Sequence, residues 1–246
     1  MERLIGIKLY HFEELDSTND YASQLIAKNK PIEGTVIIAD HQTQGKGQYG
    51  RKWSAEAKLN LTMSVILYPQ LNVDRQFDLN IISSLAICEC LKTTYRVNAK
   101  IKWPNDIYVQ DKKICGILIK NNLMGQYIHQ SIIGIGLNVN QDRFDPTIPN
   151  PTSLKAVLNE TIDLKSLRQN LFRTLDKYYS MLTNERHQLL DLYHNKLYKI
   201  DTIISYLKGD KIFSGMLRGV SQEGQILIQH LHETKAFNLS EIKLII

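Results

Sequence analysis

Residues 97–138 read VNAKIKWPNDIYVQDKKICGILIKNNLMGQYIHQSIIGIGLN, and the organisation of the chain is decided here. Four stretches of strand character follow one another: Val97 to Trp103, Ile107 to Val109, Ile114 to Ile119 and Ser131 to Asn138. Turn material fills Gln110 to Lys113 and Asn121 to Tyr127, with no helical periodicity between the strands. Parallel neighbours would need a crossover of about a dozen residues, usually a helix, so consecutive strands on such short links pair antiparallel.

Upstream of this block, Ile81, Ile82, Leu85, Ala86 and Leu91 recur at near-helical spacing and predict a helix over Phe77 to Tyr95. Leu59 to Leu67 alternates as a half-buried strand would, and Gly34 to Ala39 is β-branched and apolar, as in a buried strand. Leu4 to Leu15 reads as a strand, and Asp16 to Asp20 offers several capping side chains to a short helix over Tyr21 to Lys28. Downstream, a proline-rich loop at Asp145 to Pro151 precedes Leu164 to Tyr198, which predicts one or two amphipathic helices. Five short apolar segments then follow between Thr202 and Ile246, separated by turns such as Gly209-Asp210. They predict a small all-β unit, barrel-like by strand count. The class is α+β, a mixed and largely antiparallel sheet flanked by helices, divided at 1–197 and 198–246.

Charge and cysteines narrow the function. A net charge of +5 in 246 residues, with lysines dispersed along the chain, describes a solvated surface better than a nucleic-acid footprint. Cys88, Cys90 and Cys115 have no CxxC spacing and no histidine partners, so they read as reduced, buried thiols. The first twelve residues carry Glu2, Arg3, Lys8 and His11, unlike a secretory signal, and no apolar run reaches the roughly 18 residues of a membrane span. These features predict a cytoplasmic protein that engages no membrane.

Two motifs carry the chemistry. Gly45-Lys46-Gly47-Gln48-Tyr49-Gly50-Arg51-Lys52-Trp53 formally contains GxGxxG, yet strands flank it on both sides where a dinucleotide fold requires a following helix. Arg51-Lys52 also stands where a P-loop has Lys-Ser or Lys-Thr. What remains is a glycine loop whose amides and cations can surround an anion. In Lys102-Trp103-Pro104-Asn105-Asp106 the proline ends a strand and presents an amide and a carboxylate at its tip. Gly116, after Lys113, and Gly134 and Gly136, before Asn138, leave strand positions without side chains, where a ligand or another backbone can come close.

Taken in order, Asp16 to Asn19, Gln42 with Gly45 to Trp53, Lys102 to Asp106, Lys113 with Gly116, and Gly134 to Asn140 resemble the biotin protein ligase family. The resemblance implies a class II synthetase-like catalytic fold over 1–197 and a small SH3-like β-barrel over 198–246. It implies that biotin and Mg-ATP form biotinyl-5′-AMP, and that biotin then passes to a lysine of a biotin carboxyl carrier protein. By resemblance, Ser17, Thr18, Asn19, Gln42, Gly45, Lys46, Gly47, Gln48 and Gly116 hold biotin, and Lys113 reaches its activated carboxyl group. Arg51, Trp53, Lys102, Asn105 and Asn138 hold ATP, with magnesium near Asn105 and Asp106. Lys113, Asp106 and Arg51 form the catalytic set, Asp106 orienting the acceptor amine or taking its proton. Physically, a carboxylate attacking an anionic phosphate needs cations and alignment rather than a covalent nucleophile.

Two departures stand out. Many members carry GRGRxGR at the loop, whereas Lys46 and Gln48 occupy its first two arginine places here, replacing two guanidinium forks by an ammonium and an amide. The ligase motifs also begin by Leu15, so no DNA-binding module is expected before them. Dimerisation is left open. A lipoate-type acyl ligase and a non-catalytic nucleotide-binding module are the competing readings.

Overall fold

A computed structural model describes residues 3–183 and 185–245. The elements, in order, are β1 (Leu9–Leu15), α1 (Thr18–Asn29), β2 (Val36–Gln42), β3 (Leu61–Leu67), β4 (Leu71–Asn72), α2 (Gln76–Tyr95), β5 (Ala99–Lys102), β6 (Asp106–Val109), β7 (Lys112–Met124) and β8 (Tyr127–Leu137). Then come α3 (Leu154–Leu158), α4 (Leu164–Ser180), α5 (Arg186–Lys196), β9 (Ile203–Lys208), β10 (Lys211–Val220), β11 (Ile226–His230), β12 (Glu233–Phe237) and β13 (Lys243–Ile245).

The main sheet runs β1-β2-β3-β8-β7-β6-β5, with β4 paired to β8. Only β1 and β2 are parallel, linked by α1 as a crossover must be; the pairs from β2 to β5 are antiparallel. The predicted strands of residues 97–138 are therefore present, but β7 and β8 extend to Met124 and Tyr127, into the stretch read as turn. Asn121 and Asn122 pair with Ser131 and Gln130, and the polarity that suggested a turn belongs to a hairpin arm near solvent.

Burial explains a second difference. Every residue of β3 is buried, so its alternation does not mark one wet face. Leu61, Met63, Val65 and Leu67 join the main core with α2, while Ile66 packs with Ala22, Leu25 and Ile26 of α1. Thr62 and Ser64, on the α1 side, supply the polar half of the alternation. Helix α1 also starts three residues earlier than expected. Ser17 is its cap, accepting from the Asp20 amide, which puts Thr18 and Asn19 in the first turn.

The 164–198 segment forms two helices. Leu167, Leu171, Leu175 and Tyr178 of α4 and Leu189 and Tyr193 of α5 are buried in the same core as α2. The five C-terminal segments form the strands expected of them, but the hydrogen-bonded order β12-β11-β10-β9-β13 does not close. Among the described residues strand β13 contributes three residues and pairs with β9 alone, so the unit is an open antiparallel sheet rather than the barrel expected.

This sheet is docked against α2, α5 and the turn between β5 and β6. Trp103 Nε1 donates to the Gly224 carbonyl at 2.8 Å, and the His194 ring lies 2.8 Å from the Val220 carbonyl. Buried Asp78 accepts from Arg75 and Arg186, and Arg186 reaches the Gln222 carbonyl at 3.1 Å. Trp103, conspicuous in the sequence beside Pro104, is thus a buried core residue.

Candidate active site

Register builds the site. Lys102 pairs with Asp106, Asp106 with Gly116, Gly116 with Gly136 and Gly136 with Thr62, one cross-strand row over β5-β6-β7-β8-β3. The next row runs Leu118, Gly134 and Ser64. Paired residues share a face, so these rows stand on the α1 side of the sheet. The three glycines hollow their centre. A Cβ on Gly136 would lie 2.4 Å from the Trp53 indole, one on Gly116 3.0 Å from the same ring, and one on Gly134 2.6 Å from Asn19 Oδ1. The glycines of β8 therefore sit in regular pairing, without a bulge at either position.

Above the hollow lies a cavity of about 500 Å³, a volume typical of small-molecule sites. It is lined by Ser17, Thr18, Asn19, Gln42, Lys46, Gly47, Gln48, Arg51, Trp53, Lys102, Asn105, Asp106, Lys113, Gly116 and Asn138. The sequence-predicted residues meet there with one exception. Gly45 is buried behind the loop, where a Cβ would come 2.3 Å from the Trp53 carbonyl; its missing side chain serves the backbone crossing, and it does not line the cavity.

At one end of the cavity the wall presents neutral hydrogen-bonding groups. Gln42 Oε1 accepts from the Thr18 amide at 2.8 Å, and Ser64 Oγ reaches both Thr18 Oγ1 at 2.7 Å and Asn19 Oδ1 at 2.6 Å. Asn19 Nδ2 donates to the Leu118 carbonyl at 3.3 Å. These side chains are held in place by one another before any ligand arrives.

The other end is cationic. Lys113 Nζ lies 2.6 Å from Asp106 Oδ1 and 5.7 Å from the centre of the Trp53 ring. Lys102 Nζ sits over the Tyr108 ring at 5.3 Å. Burial holds the Lys102 ammonium below the ordinary lysine range; Lys113, Arg51 and Lys243 of β13 act in the same direction, and Asp106 opposes them. Burial, with Asp106 nearby, pushes the Tyr108 hydroxyl up to about 12, so it stays a neutral donor. Two amides are committed to the scaffold: Asn105 Nδ2 donates to the Ile117 carbonyl and Asn138 Nδ2 to the Thr152 carbonyl at 3.0 Å. Trp53 Nε1 is buried without a hydrogen-bond partner among the described residues.

For a divalent cation the cavity wall offers one carboxylate, Asp106, already paired with Lys113. Among the described residues no group of three or more His, Cys, Asp or Glu side chains could form a metal cage. The donor set fits a magnesium ion that keeps its waters and takes most other ligands from substrate phosphates. The three cysteines are free and buried as expected, with the Cys88 thiol pushed up to about 12, chiefly by burial. No helix among the described residues is long and apolar enough to cross a membrane.

Sequence reasoning missed Tyr108, Thr62 and the arm from Phe144 to Pro151 that closes one side of the cavity. Thr62 could have been found from alternation once β3 was placed next to β8. The arm gives no such signal.

Three comparisons bear on this geometry. Residues 11–138 match the model of the biotin/lipoate A/B protein ligase family. The chain is 29% identical over 245 residues to the bifunctional ligase/repressor BirA of Bacillus subtilis, covering 98% of this chain and 75% of that protein. It is 27% identical to the biotin--[acetyl-CoA-carboxylase] ligase of Mycobacterium tuberculosis, covering 86% of this chain and 79% of that one. Among solved structures, the biotin protein ligase of Aquifex aeolicus in complex with biotin and ATP superposes with a TM-score of 0.81 at 26% identity, over 97% of this chain and 98% of that one.

Proposed function

The chain belongs to the biotin/lipoate A/B protein ligase family, and on that premise we propose how its cavity works as that of a biotin–protein ligase. The enzyme forms biotinyl-5′-AMP from biotin and ATP and transfers biotin to a lysine of a biotin carboxyl carrier protein. The observation that carries this reading is the polarity of the cavity: neutral, prearranged hydrogen-bonding groups at one end and a cluster of cations at the other. A ureido ring needs the first and a carboxylate meeting a triphosphate needs the second.

In this reading Ser17, Thr18, Asn19 and Gln42 hold the biotin head, and the Trp53 ring, seated on Gly116 and Gly136, flanks the chain that leads to its carboxylate. Lys46, Gly47 and Gln48 cover it from the flap. The carboxylate attacks the α-phosphorus, pyrophosphate leaves, and Arg51, Lys102 and Lys113 screen the repulsion between the two anions. Trp53 offers the adenine a flat apolar face, with Asn105 and Asn138 at the strand ends nearby. Bound with ATP near Asn105 and Asp106, magnesium would add charge neutralisation at the phosphates. In the second half-reaction the acceptor amine attacks the acyl carbon and AMP leaves. Asp106, released from Lys113 once that cation engages the acyl phosphate, is then free to orient the amine or accept its proton. Residues 1–197 would form the catalytic unit and 198–246 a support for its cationic wall.

The test is isotope exchange between pyrophosphate and ATP. Exchange that depends on biotin, followed by a mass shift on one lysine of a carrier domain, is the expected result. Exchange supported by lipoate instead, or by neither acid, would overturn the reading.

A further inference from the structure

The flap is tied mostly to itself. The Gly47 amide donates to the Arg51 carbonyl at 2.7 Å, that of Arg51 to Gln48 at 3.2 Å and that of Trp53 to Gly45 at 2.9 Å. An antiparallel bridge pairs Lys46 with Lys52. Among the described residues, one polar side-chain contact carries from residues 46–52 to another part of the molecule: Lys46 Nζ to Asp20 Oδ2, at 2.5 Å. Asp20 belongs to the first turn of α1, directly after Thr18 and Asn19, and does not itself line the cavity. The pair therefore joins two walls of the cavity, the flap and the start of α1.

We infer that Asp20 is a positioning residue for the ligase reaction: through Lys46 it latches the glycine flap over the acyl-adenylate and sets how long that intermediate is kept. This rests on the ligase reading above. The geometry favours a latch over a brace. The two side chains are 52% and 34% exposed, so solvent and salt screen their attraction and the contact is weak enough to open in each catalytic cycle. The glycines on either side of Lys46 supply the backbone freedom such opening needs. A mixed anhydride hydrolyses readily in water, so a flap that stays down until the carrier arrives conserves it. Lys46 has a second consequence for the latch. An ammonium on a flexible stem swivels between Asp20 and the ligand, which a forked guanidinium does less readily.

The experiment follows release of labelled biotinyl-5′-AMP from the full chain, preloaded with biotin and ATP and chased with unlabelled substrates. Asp20→Asn should release it about fivefold faster, the size expected for loss of one exposed ion pair of about 1 kcal/mol. Asp20→Glu, which keeps the carboxylate, should stay within about twofold of the natural enzyme. Salt near 1 M, where the screening length falls to about 3 Å, should speed release from the natural enzyme by more than it speeds release from Asp20→Asn. Asp20→Ser replaces Asp20→Asn if the latter does not fold. If Asp20 served only the helix dipole, Asp20→Asn would lower the melting temperature and leave release alone, and the latch would be wrong. Release from Asp20→Glu as fast as from Asp20→Asn would overturn it too. An enzyme that forms no biotinyl-5′-AMP at all would count instead against the ligase reading.

Discussion

The cavity has a wall and a flap, and the chain builds them in opposite ways. On the wall, Lys102, Asp106, Gly116, Gly136 and Thr62 stand in register on five adjacent strands, and the Asn105 and Asn138 amides are spent on backbone carbonyls. On the flap, Tyr49 is 71% exposed, and among the described residues polar side-chain tethering of 46–52 to the body rests on the Lys46–Asp20 pair. The difference assigns labour. Charges that must meet developing anions are worth most when fixed beforehand in a partly dry site, whereas excluding water and then admitting a carrier requires something that moves. A wall mutation should therefore act on the chemistry, and a flap mutation on retention.

The largest effect expected of the wall is at its ion pair. Lys113→Ala should cut biotin-dependent pyrophosphate exchange by about 10²–10³-fold, the usual loss when one group aimed at developing charge is removed. It also leaves Asp106 with no partner at 2.6 Å, so part of the loss reflects an uncompensated carboxylate beside the phosphates. Asp106→Asn keeps the shape and removes that charge. It should slow transfer from preformed adenylate to the carrier much more than it weakens biotin binding. Equal transfer rates would remove Asp106 from the second half-reaction and leave it as the holder of Lys113.

Glycines sharpen the contrast at smaller magnitude. Gly134→Ala on the wall places a Cβ 2.6 Å from Asn19 Oδ1, so Asn19 must abandon Ser64 and Leu118. Overpacking of this kind costs about 1–3 kcal/mol, and biotin affinity should fall with it by about tenfold. Gly50→Ala on the flap meets nothing within 4 Å among the described residues, though its φ of +73° is unfavourable for alanine. That strain should lower stability by about 1–2 kcal/mol and leave biotin affinity within about twofold. Thermal melts and biotin calorimetry on the two variants decide the matter; equal losses of affinity would erase the distinction between wall and flap.

The sequence shows the wall better than the flap, for a physical reason. Strand wall residues are ordered by a period of two, so Lys102, Asp106, Gly116 and Gly136 can be set on one face as soon as the antiparallel order is read from residues 97–138. What periodicity does not supply is which strands meet across large sequence distance: that β3 lies against β8 is what brings Thr62 and Ser64 to the site. The same nonlocal packing hides the full burial of β3, whose polar members face α1 rather than water. Loop residues have no such order. Gly45 stands among cavity-lining neighbours in the sequence, yet it lies off the cavity, where a Cβ would come 2.3 Å from the Trp53 carbonyl. Asp20 appears in sequence as one more capping-region acid, and its partner Lys46 is identified only once the flap is folded over α1.

The smallest effect expected concerns the protonation of Lys102. Burial first, then Lys113, Arg51 and Lys243, hold its ammonium below the ordinary lysine range, against the pull of Asp106. Phosphate screening needs the charged form, so the rate constant for ATP at low concentration should fall on the alkaline side earlier than an ordinary lysine would dictate. Lys102→Arg, whose guanidinium stays protonated throughout, should move that alkaline limb upward. The stability sign is opposite. In the unfolded chain Lys102 keeps its proton up to the ordinary lysine value, while in the fold it gives the proton up sooner, so between those limits the unfolded state binds more protons and folding gains with rising pH. Below that window the buried charge is a standing cost. Compared with Lys102→Met, the ligand-free enzyme should therefore recover stability as pH climbs, while its hold on ATP weakens. If the arginine variant keeps the original alkaline limb, Lys102 is not the group whose proton controls ATP use, and the wall's electrostatics must be reassigned to Lys113 and Arg51.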